Sequence, residues 1–162
     1  MQRSRLGPGP ERVRGALEAR GFRHQIVELE KTARSAAEAA EALGCEVGQI
    51  VKSLVFRAAR TGRPVLVAAS GANRVDEERV GELVGEPLEK ADAAFVKEKT
   101  GFSIGGVPPL GHREEPVALV DEDLMRYEEV WAAAGHPHAV FGLHPRELVE
   151  MTGGRVARVR SG

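Results

Sequence analysis

The sequence predicts one mixed α/β domain, and three observations carry that prediction. Segments with helical spacing and cap residues alternate with short apolar runs of strand length. No internal repeat, low-complexity tract or linker divides the chain. At 162 residues with 42% hydrophobic content, roughly two thirds of the unfolded surface can be buried, so a core forms without a disulfide or metal staple.

Residues 1–9, polar and rich in Gly and Pro, read as a flexible leader before a domain spanning 10–162. Glu11 to Arg20 place Val13, Ala16 and Leu17 on one side, an amphipathic helix that Gly21 stops. The apolar residues of Phe22 to Glu30 suit a strand. Ser35 followed by Glu38 forms a capping-box signature for a helix over Ala36–Leu43, ending at Gly44. Ile50–Ala58 and Pro64–Ser70 read as strands joined through Arg60-Thr61-Gly62-Arg63, a hairpin. Asp76 caps a helix reaching Val84, and Ala91–Thr100 is a further helix stopped by Gly101. After a Gly- and Pro-bearing loop over Ile104–His112, strands are expected at Val117–Asp121, Glu129–Ala134 and Ala139–Leu143. Pro145–Met151 has proline in its first turn, as helices tolerate, and Arg155–Val159 closes as a strand.

Charge narrows the function classes. Twenty-three Lys plus Arg face 24 Asp plus Glu, a net charge of -1, which excludes a generic nucleic-acid coat or polybasic membrane binder but not a local basic patch. The single Cys45 has no internal disulfide partner, so a reducing compartment is the default. No apolar run approaches the ~20 residues of a membrane span, and the N-terminus lacks the apolar middle of a signal peptide. A cytoplasmic protein without a membrane partner is expected.

Lys52 is the most informative single residue. In an extended Ile50–Phe56 it shares a face with Leu54 and Phe56, while Val51, Ser53 and Val55 take the other. A lysine on an apolar face is either an edge residue with its head in water or a cleft cation that meets a phosphate or carboxylate. Gly101 to His112 is the second candidate. Its adjacent glycines admit close backbone approach, and such a loop can aim N–H groups at a carbonyl oxygen or an oxyanion; a plain helix–strand connector is the competing reading. No Walker sequence follows the loop. His136, His138 and His144 lack the spacing and acidic or thiol companions of a metal site, so no metal and no cofactor are expected. No Gly-x-Ser-x-Gly elbow exists, and Cys45 has no evident histidine partner. The acidic runs Asp76-Glu77-Glu78 and Asp121-Glu122-Asp123 fit helix N-termini.

The order of the pieces is more specific than any piece. Ser35-Ala36-Ala37-Glu38 precedes Gln49-Ile50-Val51-Lys52-Ser53-Leu54-Val55-Phe56. Ala69-Ser70-Gly71, then Thr100-Gly101-Phe102-Ser103-Ile104-Gly105-Gly106-Val107-Pro108-Pro109-Leu110-Gly111, then Ala134-Gly135 and Pro145-Arg146-Glu147-Leu148 follow. Over residues 11–160 this arrangement resembles the YbaK family, the prolyl-tRNA-synthetase-associated or aminoacyl-tRNA deacylase domain.

The resemblance implies a strongly curved mixed β-sheet or partial barrel flanked by helices. It implies a trans-editing hydrolase that cleaves a wrong amino acid from a tRNA, here the tRNA for proline carrying a small residue, without metal or covalent nucleophile. Lys52 matches the family's essential lysine, and Gly105 to Pro109 its Gly-x-x-x-Pro loop. Lys52, Gly105 and Gly106 are then the catalytic candidates. Val107, Pro108, Pro109, Gly135, His138 and Asn73 are the substrate-binding ones. Pro108 stands where members acting on cysteinyl-tRNA often have serine, which implies a different side-chain pocket. The expected partner is the aminoacyl-tRNA acceptor end, with a synthetase as a second candidate. The competing functions are a nucleotide- or aminoacyl-adenylate-binding module without turnover, and an accessory domain that docks on a synthetase.

Overall fold

The structure is a computed structural model that describes residues 6–30 and 33–162. Helix α1 spans Pro8–Ala19 with prolines in its first turn, so it starts three residues before the predicted Glu11. Those prolines lack only N–H groups that a helix start leaves unpaired anyway. Residues 1–5 of the expected leader lie outside the described residues, as do Lys31 and Thr32.

The remaining elements in chain order are β1 (Ile26–Glu28), α2 (Ala36–Leu43), β2 (Val51–Ala58), β3 (Pro64–Ser70), α3 (Glu77–Val84), β4 (Leu88–Lys90) and α4 (Ala93–Thr100). They are followed by β5 (Val117–Asp121), β6 (Val130–His136), β7 (Ala139–Leu143), α5 (Pro145–Thr152) and β8 (Arg155–Ala157). The mixed α/β class is as expected, but the strands divide between two sheets that do not close into a barrel. One has the order β4-β2-β3-β5-β8; the other is β1-β7-β6. In the larger sheet β2 is antiparallel to β3 and β4, whereas β3, β5 and β8 run parallel. The β2–β3 hairpin is the one predicted.

Cap chemistry placed the helices. Ser35 Oγ accepts from Glu38 N (3.1 Å) and Asp76 Oδ1 from Arg79 N (3.1 Å). Three short elements escaped the sequence reading, one of them a 3₁₀ turn at Val47–Gln49. Strand β4 is three residues long, too few for a period, and it displaces the next helix start to Ala93 behind its cap Asp92. The acidic run Asp121-Glu122-Asp123 heads a single 3₁₀ turn, Glu122–Arg126, instead of an α-helix.

Two apolar cores flank the larger sheet. Val51, Leu66, Ala68 and Val120 pack with Leu17, Val130 and Phe141 between the sheets. Phe56, Val65, Val67 and Leu119 pack with Val80 of α3 and Val159 on the other side. Central strand β3 is buried at every position, which is why Pro64–Ser70 is a continuous apolar run instead of an alternating one. Strand β2 distributes its side chains as the pleat requires. Lys52, Leu54 and Phe56 stand opposite Ala69, Val67 and Val65 on the α3 side, and Val51, Ser53 and Val55 face the second sheet.

Candidate active site

A cavity of about 910 Å³ opens along one edge of β2. Its walls come from β2 itself, the N-terminal turn of α2, the Ile104–Val107 loop, Trp131 and Ala133 of β6, and Pro137 and His138. The opening follows from strand pairing. Strand β4 reaches β2 only at Phe56–Ala58, and at the other end a bridge joins Ile50 to Trp131. The Gly71 amide donates to Ile50 O (2.6 Å), so in an antiparallel ladder the even-numbered residues Ile50, Lys52 and Leu54 direct their backbone groups to β3. Those of Ser53 therefore point the other way, along a strand edge that has no neighbouring strand among the described residues.

Of the nine candidate residues, Lys52, Gly105, Val107 and His138 line this one cavity. Lys52 is half-buried, and its Nζ donates to the backbone oxygen of Asn73 (2.5 Å). An ammonium has three N–H groups, so two remain for a ligand. Asn73 is absent from the wall because its side chain is engaged behind it. Its Nδ2 donates to Asp121 Oδ2 (2.8 Å) and Asp123 Oδ2 (2.9 Å). Asp121 is fully buried and also accepts from the amides of Ser70 (3.0 Å) and Asp123 (2.9 Å). Such a carboxylate, supplied with several N–H donors, offsets its own desolvation. Lys52 is thus aimed by a backbone carbonyl that a buried acid holds still.

The glycine loop is fixed differently. Gly106 does not reach the cavity: its amide donates to Ser103 O (3.0 Å) and its carbonyl accepts from Gly135 N (2.9 Å). The two glycines are structural because their backbones touch. A Cβ on Gly106 would lie 2.7 Å from His136 N, and one on Gly135 would lie 2.5 Å from the Gly9 backbone, at a φ of +88°. Behind the loop, Arg12 of α1 donates to Gly101 O (2.7 Å) and stacks over Phe102 at 4.5 Å. Pro108 and Pro109 are buried on the far side, where Pro108 O accepts from His112 Nε2 (2.6 Å). Burial pushes the His112 imidazole below its ordinary value of 6.5, partly offset by Pro108 and Glu115, so the ring is neutral with its proton on Nε2. Among the described residues the Gly105 amide has no acceptor. The amides of Ile104 and Val107, which also line the cavity, have none either, so this stretch of loop carries three unengaged N–H groups, with Gly105 at its centre.

His144 and His136 serve local ends. His144 Nδ1 accepts from Arg146 N to cap α5, and His136 Nδ1 accepts from His138 N. Among the described residues no group of three or more His, Cys, Asp or Glu is placed to hold a metal ion. Burial, then Glu129 and Glu46, push the Cys45 thiol up, the opposite of nucleophile activation, and Cys45 is not on the cavity wall. The sequence reading missed Ser53, which lines the cavity and whose hydroxyl has no hydrogen-bond partner among the described residues. It also missed Trp131, Arg34 and Lys90. Nothing in their local sequence marks them; they meet only because β2 has an open edge.

No described helix is long and apolar enough to cross a membrane. Comparison with known proteins agrees with the geometry. The family called "Aminoacyl-tRNA editing domain" matches residues 30–151. The protein YwhH of Bacillus subtilis, whose function its name leaves open, is 30% identical over 133 residues, 82% of this chain and 84% of that protein. EbsC of Enterococcus faecalis, described as a candidate Cys-tRNA(Pro)/Cys-tRNA(Cys) deacylase, is 28% identical over 126 residues, 77% of this chain and 76% of its own length. A crystal structure described as a candidate trans-editing enzyme for prolyl tRNA synthetase superposes with a TM-score of 0.92 at 51% identity, covering 97% of this chain and 99% of that one. With three quarters of its length inside the family match and the family's fold around the cavity, the chain belongs to the aminoacyl-tRNA editing domain family.

Proposed function

We propose that this editing domain acts in trans, hydrolysing the ester between a small wrong amino acid and the terminal adenosine of the tRNA for proline. The observation that carries the reading is the convergence of Lys52, Gly105 and His138 on one cavity. The tRNA assignment rests on the prolyl and cysteinyl names borne by the relatives.

An aminoacyl ester is already activated, so catalysis reduces to placing a water and stabilising the oxyanion. The two free N–H groups of Lys52 hold the terminal phosphate or ribose and set the ester against the loop. The Gly105 N–H donates to the carbonyl oxygen as it becomes the oxyanion. The vicinal ribose hydroxyl of the substrate relays the proton of the attacking water to the departing ribose oxygen. His138, at the rim, positions the water. The steps use no metal or other cofactor.

The test is Lys52→Ala with a panel of Ala, Cys, Ser, Thr and Pro on one proline tRNA. The expected result is a loss of kcat/KM of at least ~100-fold on the preferred mischarged tRNA, with the melting midpoint unchanged. Retained turnover removes Lys52 from the mechanism. Tight tRNA binding by the wild type without ester cleavage on any member removes the hydrolase reading.

A further inference from the structure

The cavity concentrates positive charge that the chain as a whole lacks. Against a net charge of -1, the charged side chains on its wall among the described residues are Arg34, Lys52 and Lys90, with Glu77 the single carboxylate. Some cations elsewhere are paired with carboxylates, Arg57 with Glu89, Lys99 with Glu114 and Arg160 with Glu122 and Asp123, while others such as Arg23, Arg74 and Arg146 have no such partner among the described residues. The side chains of Arg34 and Lys90 have no acceptor among the described residues. Lys90 is unpaired although Glu89 is its neighbour, because alternation along β4 puts Glu89 on the other face, where it meets Arg57.

Placement adds direction to the charge. Lys90 stands opposite Phe56 in the β2–β4 register, so it projects from the same face as Lys52. Four residues of strand separate Lys52 from that position, roughly 13 Å at the usual rise. The Lys52 ammonium is turned away from Lys90, since it is anchored on Asn73, beyond the Val51–Ser70 end of the hairpin. The two ammonium groups therefore point to different parts of the cavity. Arg34 enters from a third direction, one residue before the Ser35 cap of α2, whose first turn also lines the cavity. A guanidinium there can grip a phosphate with two parallel N–H groups.

We propose that Arg34 and Lys90 bind the phosphodiesters that precede the terminal adenosine in the single-stranded 3′ end of the tRNA, so that the tail runs over the cavity mouth between them while Lys52 holds its end. The assignment of the tail to tRNA rests on the deacylase reading above; the anion sites themselves rest on charge and register.

The experiment compares 3′-O-aminoacyl-adenosine, which has no phosphodiester, with an aminoacyl-CCA trinucleotide and the aminoacyl-tRNA. It uses the wild type, Arg34→Gln and Lys90→Gln, and measures the affinity of the uncharged CCA trinucleotide in parallel. In the wild type kcat/KM rises on going from adenosine to CCA. Each variant loses at least about fivefold of that rise, weakens CCA binding by a similar factor, and makes the log–log salt dependence of CCA binding shallower by roughly 0.7. Melting midpoints stay at the wild-type value, because neither side chain holds the fold. Equal gain, affinity and salt slope in variants and wild type overturn the proposal. So does a loss on aminoacyl-adenosine as large as that on CCA, which places the residues at the ester instead. If the wild type cleaves none of the substrates but the variants still weaken CCA binding with the shallower slope, the anion sites stand and the deacylase reading falls.

Discussion

The two walls of the cavity are held in place by opposite means. On the Lys52 wall the positioning is polar and sequential: Lys52 on Asn73, Asn73 on Asp121 and Asp123, Asp121 on the Ser70 amide. On the loop wall it is steric. Gly9, Gly135 and Gly106 lie backbone against backbone, with Arg12 and His112 bracing the loop ends. A hydrogen-bond relay can be loosened one link at a time and leaves the chain folded. A stack of glycines has no intermediate state, because the first added carbon collides with a main chain that cannot rotate away. The placement of Lys52 is therefore tuneable, whereas that of the Gly105–Gly106 loop is present or absent with the fold.

The largest expected effect breaks the steric wall. Gly135→Ala combines a positive φ with a Cβ 2.5 Å from Gly9. Left-handed backbone costs about 1–2 kcal/mol for a residue with Cβ and overpacking about 1–3 kcal/mol, so roughly 3 kcal/mol and a midpoint about 10 °C lower are expected. Gly153→Ala is the control. It also has a positive φ, +65°, but open space around it, so it carries the backbone cost alone. Equal losses in thermal melts of the two variants show that the glycine contact itself contributes nothing.

A smaller effect on stability, with a larger one on activity, is expected from Asp121→Asn. One carboxylate oxygen becomes an NH₂ facing N–H donors, either toward Ser70 and Asn73 or toward Asp123. A mismatched buried pair of this kind costs about 1–3 kcal/mol. Because Asn73 then shifts its carbonyl, kcat/KM is expected to fall by at least about tenfold below what the folded fraction explains. Activity that follows the folded fraction alone shows that the relay does not aim Lys52, and the contrast between the walls disappears.

What was legible in the sequence divides along the same line. Lys52 was visible because a cation interrupts an apolar face, and alternation is local information. The helix starts at Ser35 and Asp76 were visible because a cap acts on an amide three residues away. Gly105 and Gly106 were visible as a loop, but that Gly106 is engaged depends on a turn to Ser103 and a contact with Gly135, a partner far along the chain. Asn73 looked like a binding residue because it follows Gly71, yet its side chain is drawn backward by acids nearly 50 residues later. Arg34, Lys90 and Trp131 meet across an open strand edge, and openness is a property of pairing that no single segment records.

The smallest expected effect concerns pH, and it separates bracing by packing from bracing by charge. The buried His112 ring has its pKa depressed below 6.5 by desolvation, with Pro108 and Glu115 opposing. Above pH 6.5 the ring is neutral folded and unfolded, so its contribution is fully present. As pH falls below 6.5 the unfolded chain takes up a proton that the folded ring refuses. Folding stability then falls by at most about 1.4 kcal/mol per pH unit from this group until the folded pKa is passed. His112→Gln retains an N–H group to offer Pro108 O and cannot titrate. In urea unfolding at pH 7.5 and pH 5 the variant should lose less stability than the wild type on acidification. An identical loss would mean that the ring accepts its proton as readily when folded, and that the Pro108 brace is held by an imidazolium instead of a packed neutral ring.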